Sequence, residues 1–543
     1  MMLIFVISSC TTTVEVTREV PVQVTVEVPG PEVVVTRVIE REVVTEVVEV
    51  TRIVEVDTAA GRPQGNLVIE LSQPPVTLDV AEATDADSLT AAWQLYDSLL
   101  YLNERGAIRP ALAESWDISQ DGRIYTFNLR PNVFFHNGEP FNADAVLFSW
   151  QRAQLSETSN AQAWAAAETV EVIDDLTFVV TTAAPDPFFL TKVAQYWAIV
   201  PPGYIGREGE EGFAAAPVGT GPFMFVEAQP NDFVRLRANP NYWDPNLPKL
   251  QSLTFRFITD PEARRTGLRN GSLHIVKSVT AEDADALYLL TNVDIINYPQ
   301  DQIYYIAFNN QTTGANSPLA DPQVRQALNY AVNRQAITNE LFDRYAQPAN
   351  SLFTPLNFGF DNTLTRFTYD PLLAQSLLEE AGYASGFTVE FVCPDMSFTN
   401  FNEVCEMVQA DLATIGINAN LTFISPDIYF ESYDNGELPP LAGNQTAGQG
   451  GEIYDRLQNL LGENQPLWSD PDLTPLVIQL KDTAAQTARA SLYADIQPLL
   501  IENPPFLYLY TPVTIEAINT AVQNYQPRQN GITFFKEVVL FIP

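Results

Sequence analysis

Residues 112–152, LAESWDISQDGRIYTFNLRPNVFFHNGEPFNADAVLFSWQR, constrain the fold more tightly than any other stretch of this chain. Asp121 and Gly122 form a turn signal, and Tyr125, Phe127 and Leu129 alternate with Ile124, Thr126 and Asn128. That period of two predicts a half-buried hairpin strand, and a helix is expected to open near Asn142. The run contains no nucleophile motif, so it reads as architecture.

The chain is 543 residues long, more than one domain holds, and 46% hydrophobic residues can fill large cores in at least two lobes. Its 67 acidic and 29 basic residues give a formal charge of −38, which repels phosphate backbones and argues against nucleic acid as a partner. Three cysteines and two histidines, His136 and His274, supply neither a disulfide scaffold nor a zinc framework.

Further blocks repeat the architectural theme. A helix rich in one-face apolar residues (Leu89, Ala92, Trp93, Tyr96, Leu99, Leu100) follows Asp85, Asp87 and Ser88, which suit its start. Residues 217–244, PVGTGPFMFVEAQPNDFVRLRANPNYWD, include Gly219, Thr220, Gly221 and Pro222, which favour a tight backbone course. Asp321 with Pro322, and Asp370 with Pro371, mark two helix starts, and Gly382 ends the second helix. Strands at Phe387–Val392 and Ile417–Ile424 flank a helix from about Asn402 to Ile415, which predicts a parallel pair in an α/β lobe.

Taken over their full length and spacing, these blocks resemble the extracytoplasmic solute-binding proteins, family 5, which serve dipeptide and oligopeptide ABC importers. The resemblance implies an α/β, two-lobed periplasmic-binding-protein-like fold (type II, cluster C) with an inserted subdomain in the first lobe. Its implied boundaries are 66–108, 199–258 and 510–543 for lobe I, 109–198 for the inserted subdomain, and 259–509 for lobe II. The lobes would be joined by crossings near Phe257–Pro261 and Leu507–Thr511.

The amino terminus, MMLIFVISSC, is an apolar run ending in small residues before Cys10 and is similar to the last part of a lipoprotein signal, so residues 1–10 are expected to direct lipidation of Cys10. Residues 11–65 read as a low-complexity Val/Glu/Thr stalk, either a solvated linker or strands paired with a neighbouring copy. The expected localisation is extracytoplasmic, at the outer face of the cell membrane.

No GxSxG, GxxxxGK[ST] or HExxH motif occurs, so no enzyme, no cofactor and no metal site is expected. His136 lies inside the signature hairpin and is expected to be a hydrogen-bonded structural residue. Cys393 and Cys405 could form a disulfide or remain two inert buried thiols.

The resemblance further implies a ligand between the lobes, bordered by Asp85 and Ser88, by Thr220 and Gly221, by Tyr304 and Asn309, and by Asn444, Gln445 and Trp468. Peptide-binding relatives carry a Gly-Trp segment followed by an aspartate that meets the peptide ammonium. Here Gly443 precedes Asn444, and neutral Gln445, Thr446 and Gln449 stand where that aspartate is expected. A free peptide amino terminus would then need Glu452 or Asp455, whereas amides also suit hydroxyl-rich ligands. The expected function is a membrane-tethered, monomeric receptor that delivers a peptide-like or other small polar solute to a permease and ATPase complex. An oligosaccharide-binding member of the same family, a cell-envelope hydrolase and a surface adhesion or scaffold protein are the rivals.

Overall fold

The computed structural model describes residues 63–541 apart from 104–106, 157–162, 278, 344, 365–366, 449–451 and 484. Before residue 63 only the backbone of a few strands is described, with Phe5–Val14 antiparallel to Glu46–Glu55. The lipidation expected at Cys10 therefore lies outside the described side chains.

The first lobe begins with β1 (Asn66–Leu71), whose Leu67, Ile69 and Leu71 are fully buried. In α1 (Ala86–Ala92) the Asp85 carboxylate accepts from the Ser88 N–H at 2.8 Å. The helix expected to reach Leu100 stops earlier, because Gln94 turns to a distant segment. Its Nε2 donates to Thr533 O at 2.8 Å and its Oε1 accepts from the Phe535 N–H at 3.1 Å.

The signature stretch forms its own antiparallel sheet. β2 (Ala113–Ile118) and β3 (Ile124–Leu129) make the predicted hairpin, and α2 (Ala143–Ala153) follows with Asn142 as its cap. β4 (Ala167–Asp174) and β5 (Thr177–Thr182) complete the order β4-β5-β3-β2, and α3 (Phe189–Tyr196) packs beside them. Tyr125, Phe127 and Leu129 point into its core with Trp164 and Trp197, as the alternation requires.

The chain returns to the first lobe in β6 (Phe223–Gln229), β7 (Phe233–Ala238) and β8 (Ser252–Phe257), the last parallel to β1. The crossing expected near Phe257–Pro261 does not occur there. After α4 (Pro261–Asn270), β9 (Ile275–Val276) pairs parallel to β1, α5 (Ala281–Leu287) packs behind it, and β10 (Val293–Pro299) pairs with the strand that closes the same sheet. Residues 261–299 thus belong to the first lobe's sheet. A two-residue strand and a seven-residue helix carry too little periodicity to announce this.

The chain changes lobe between Pro299 and β11 (Gln302–Phe308). The second lobe holds α6 (Pro322–Ala331) and α7 (Pro371–Glu380), capped by Asp321 and Asp370, then β12 (Phe387–Pro394), α8 (Phe401–Thr414) and β13 (Ile417–Ile424). β12 and β13 pair in parallel, as predicted. β14 (Leu441–Ala447), α9 (Tyr454–Leu461) and α10 (Gln486–Glu502) follow. Cys393 and Cys405 are joined as a disulfide, although both also face the buried core.

β15 (Phe506–Asn519) is the second crossing: it pairs with β11 as far as Tyr510 and with β10 from Val513 onward. One continuous ladder results, in the order β6-β7-β8-β1-β9-β15-β11-β14-β12-β13.

Candidate functional site between the lobes

Strand direction locates the site. β1, β8 and β9 are parallel, and β9 runs antiparallel to β15, so their carboxyl ends lie toward Val513, where β15 leaves the first lobe. In the second lobe β12, β13 and β14 are parallel, and β14 pairs Ala447 with Gln302 at the other side of the crossing. Both sets of carboxyl ends therefore flank the junction, and open α/β sheets bind ligands beyond such ends.

On the first-lobe side the strand ends carry charge. The Asp87 carboxylate accepts from the Gln73 N–H at 2.8 Å, just beyond β1. Burial raises its pKa, partly offset by that bond and by the Lys277 ammonium. Lys277, just beyond β9, donates to Thr533 Oγ1 at 2.7 Å and to Gly531 O at 3.0 Å. Sequence reasoning named Asp87 only as part of a helix start. The contact with Gln73 that distinguishes it joins residues in different elements, so no local pattern could have revealed it.

On the second-lobe side the strand ends are neutral and aromatic. Gln302 Nε2 donates to Gln445 Oε1 at 2.9 Å, and Tyr304 stacks on Tyr510 with ring centroids 4.5 Å apart and meets Phe398 edge-on at 5.5 Å. Burial pushes the Tyr304 phenol up to about 12, so it stays a neutral donor. β14 pairs with β11 along its whole length but with β12 only at Leu441 and Ala442. From Gly443 to Ala447 its other edge has no ladder partner among the described residues. On that stretch the Gly443 carbonyl accepts from Tyr429 OH at 2.6 Å, and Asn444 Oδ1 accepts from the Gln445 N–H at 2.8 Å.

The remaining expected residues lie elsewhere or serve packing. Asp85 caps α1, and Ser88 is buried with its Oγ accepting from the Val76 N–H at 2.9 Å. Thr220 is buried against Asp97, and a Cβ on Gly221 would come within 2.4 Å of the Leu95 carbonyl carbon, so this loop is tight because it packs on the chain after α1. His136 fastens the loop: Nδ1 accepts from the Gly219 N–H at 3.2 Å and Nε2 donates to Gly221 O at 3.0 Å. Burial lowers its pKa to about 4, which keeps it neutral in that role.

Asn309 donates to Leu438 O at 2.8 Å beyond the far end of β11, and Trp468 is buried under Arg325 near the same end, away from the crossing. Gln449 lies outside the described residues. Glu452 is held by Arg489 through two bonds of 2.6 Å and is not a free carboxylate, whereas Asp455 is exposed. Among the described residues no cluster suited to a metal ion occurs, and no helix is long and apolar enough to cross a membrane.

Two α/β lobes joined by β15 and by the connection from Pro299 to Gln302, with opposed strand ends that differ in chemistry, define a two-lobed solute-binding protein of the periplasmic-binding-protein type. Residues 107–465 match the family model "Bacterial extracellular solute-binding proteins, family 5 Middle", and the chain belongs to that family. It is 31% identical to a dipeptide-binding protein of Pseudomonas aeruginosa over 87% of this chain and 92% of the relative. Its fold is similar to HbpA2 from Haemophilus parasuis (TM-score 0.81, 26% identity, 88% of this chain and 100% of that one). It is also similar to the ABC transporter-associated periplasmic binding protein DppA from Helicobacter pylori, solved with the peptide STSA (TM-score 0.69, 25% identity, 89% and 99%).

Proposed function

We propose that this protein is the receptor of an ABC importer, capturing a peptide-like solute between its lobes and handing it to the permease. The unpaired edge of β14 carries this reading. An extended main chain can add to such an edge as a further strand, and side chains then enter flanking pockets. Asn444 Oδ1 already occupies the Gln445 N–H that a ligand carbonyl would accept from. The names of the relatives, a dipeptide-binding protein and a peptide-bound DppA, support the same choice.

The ammonium of a peptide finds no carboxylate on Gly443–Ala447. In this reading main-chain pairing carries most of the affinity, so methylating the ligand's backbone amides weakens binding more than acetylating its amino terminus, whose counter-charge would be Asp87 of the first lobe. Calorimetry with a panel of di- and tripeptides, their blocked analogues and neutral oligosaccharides tests this. Replacing both Asn444 and Gln445 by alanine should weaken binding by about 1–3 kcal/mol. Binding of oligosaccharides but of no peptide would reject the reading.

Tethering through Cys10, with residues 11–65 as the spacer, is part of the same proposal. Cys10→Ser should move the protein from the membrane fraction to the soluble fraction, and a variant that stays membrane-bound rejects the tether.

A further inference from the structure

The inserted subdomain touches the second lobe through a contact that is not part of either chain crossing. The loop before α3 reads Ala184-Pro185-Asp186-Pro187-Phe188, and Phe188 is buried although its packing partners belong to the other lobe. Its ring stacks on Tyr454, with centroids 4.6 Å apart and planes 7° apart, and the Arg489 guanidinium lies 5.0 Å from the ring centroid on the Phe188 side.

Both halves of this contact are fixed within their own lobes. On the loop, two prolines restrict φ, Asp186 Oδ1 accepts from the Phe188 N–H at 2.9 Å, Oδ2 accepts from Lys192 Nζ at 2.8 Å, and the Asp186 carbonyl accepts from Tyr125 OH at 2.9 Å. On the second lobe, Arg489 is held by Glu452 and donates to Thr483 O at 2.9 Å, while Tyr493 OH donates to Glu452 at 3.1 Å. An aromatic plug and an aromatic-cationic slot, each rigid beforehand, can join or part without remodelling either lobe.

We propose that Phe188 in the Tyr454–Arg489 slot is a ligand-independent latch that sets the balance between open and closed lobes, and through it the affinity for solute. The loop and α9 belong to different lobes, so an opening that parts them withdraws Phe188 from its slot into water. The ligand then needs to supply only the remainder of the closing free energy. Phe188 and Tyr454 are positioning residues, since neither has to touch the solute.

The proposal rests on the solute-receptor reading only for its effect on affinity, so the deciding measurement is made without ligand. Small-angle scattering of the full chain is compared for the native sequence, Phe188→Ala, Tyr454→Ala and the double variant, each checked for folding by circular dichroism. Each single substitution should expand the molecule and lower the closed-to-open ratio about tenfold. The double variant should expand no further than either single one, and Phe188→Leu should restore part of the compaction. Unchanged or more compact scattering in the folded single variants overturns the latch, as does an expansion that simply adds in the double variant. If Phe188→Ala fails to fold, Tyr454→Ala alone decides.

Discussion

Each strand segment that joins the lobes carries a buried carboxylate, and the two lobes neutralise theirs differently. On the second-lobe side Asp301 is met by Arg456 and Asn357: Arg456 Nη2 lies 2.7 Å from its Oδ1 and also donates to its carbonyl at 2.8 Å, and the Asn357 amide donates at 3.3 Å. Gly448 passes so close that a Cβ there would sit 2.2 Å from Asp301 Oδ2. On the first-lobe side Glu516 shares its charge among Lys277 at 3.3 Å, Tyr298 OH at 2.9 Å and Tyr525 OH at 2.5 Å. Burial, followed by the charge of Glu516, raises both phenols, so they remain donors. One anchor is led by an arginine and the other by a lysine that shares the carboxylate with two phenols. Both hold the strand ends to their own lobes.

The largest expected effect breaks the arginine pair. Arg456→Leu removes the guanidinium from buried Asp301, and unfolding in urea should show a loss of about 3–5 kcal/mol. A stability within 1 kcal/mol of the native protein would show that the other partners of Asp301 hold it without the guanidinium.

Next comes the covalent tie that only the second lobe has among the described residues. Replacing Cys393 and Cys405 by serine should destabilise that lobe by about 2–3 kcal/mol. Hydrogen exchange should rise in α8 and β12 and stay unchanged in β1. Faster exchange in both lobes alike would mean that the lobes unfold as one unit.

The smallest effect probes the network. Lys277→Met leaves Glu516 with two phenolic donors, so the loss should be about 1–2 kcal/mol. If it equals that of Arg456→Leu, the tyrosines do not share the charge and the contrast between the two anchors disappears.

Local signals made much of the fold legible. The alternation around Phe127, the Asp-Pro starts at Asp321 and Asp370, and the strand, helix and strand between Phe387 and Ile424 all carry their own periodicity and caps, and the structure has them at those places. What failed was the assignment of residues 261–299, because β9 belongs to the first lobe through a partner some two hundred positions earlier. The site was less legible than the fold for the same reason. Tyr304, Asn444 and Gln445 sit by the junction on a strand pair that sequence could suggest, but Thr220, Asn309 and Trp468 are polar or aromatic for the sake of buried packing. Residue type alone does not separate those two uses. The slot for Phe188 joins three distant segments, and nothing local in any of them announces it.

The continuity of β15 bears on how the protein is made. The first lobe's opening strand, β1, lies in a sheet that also requires Val513–Asn519, and Thr90 in α1 donates to Gly531 O, 441 positions onward. A chain emerging residue by residue can complete the second lobe while the first still lacks a strand and the segment that seats its first helix. Until the last residues arrive, the first lobe exposes a sheet edge and apolar surface. The early half of this protein is therefore expected to remain an unfinished sheet during synthesis until Val513–Asn519 emerge to complete it.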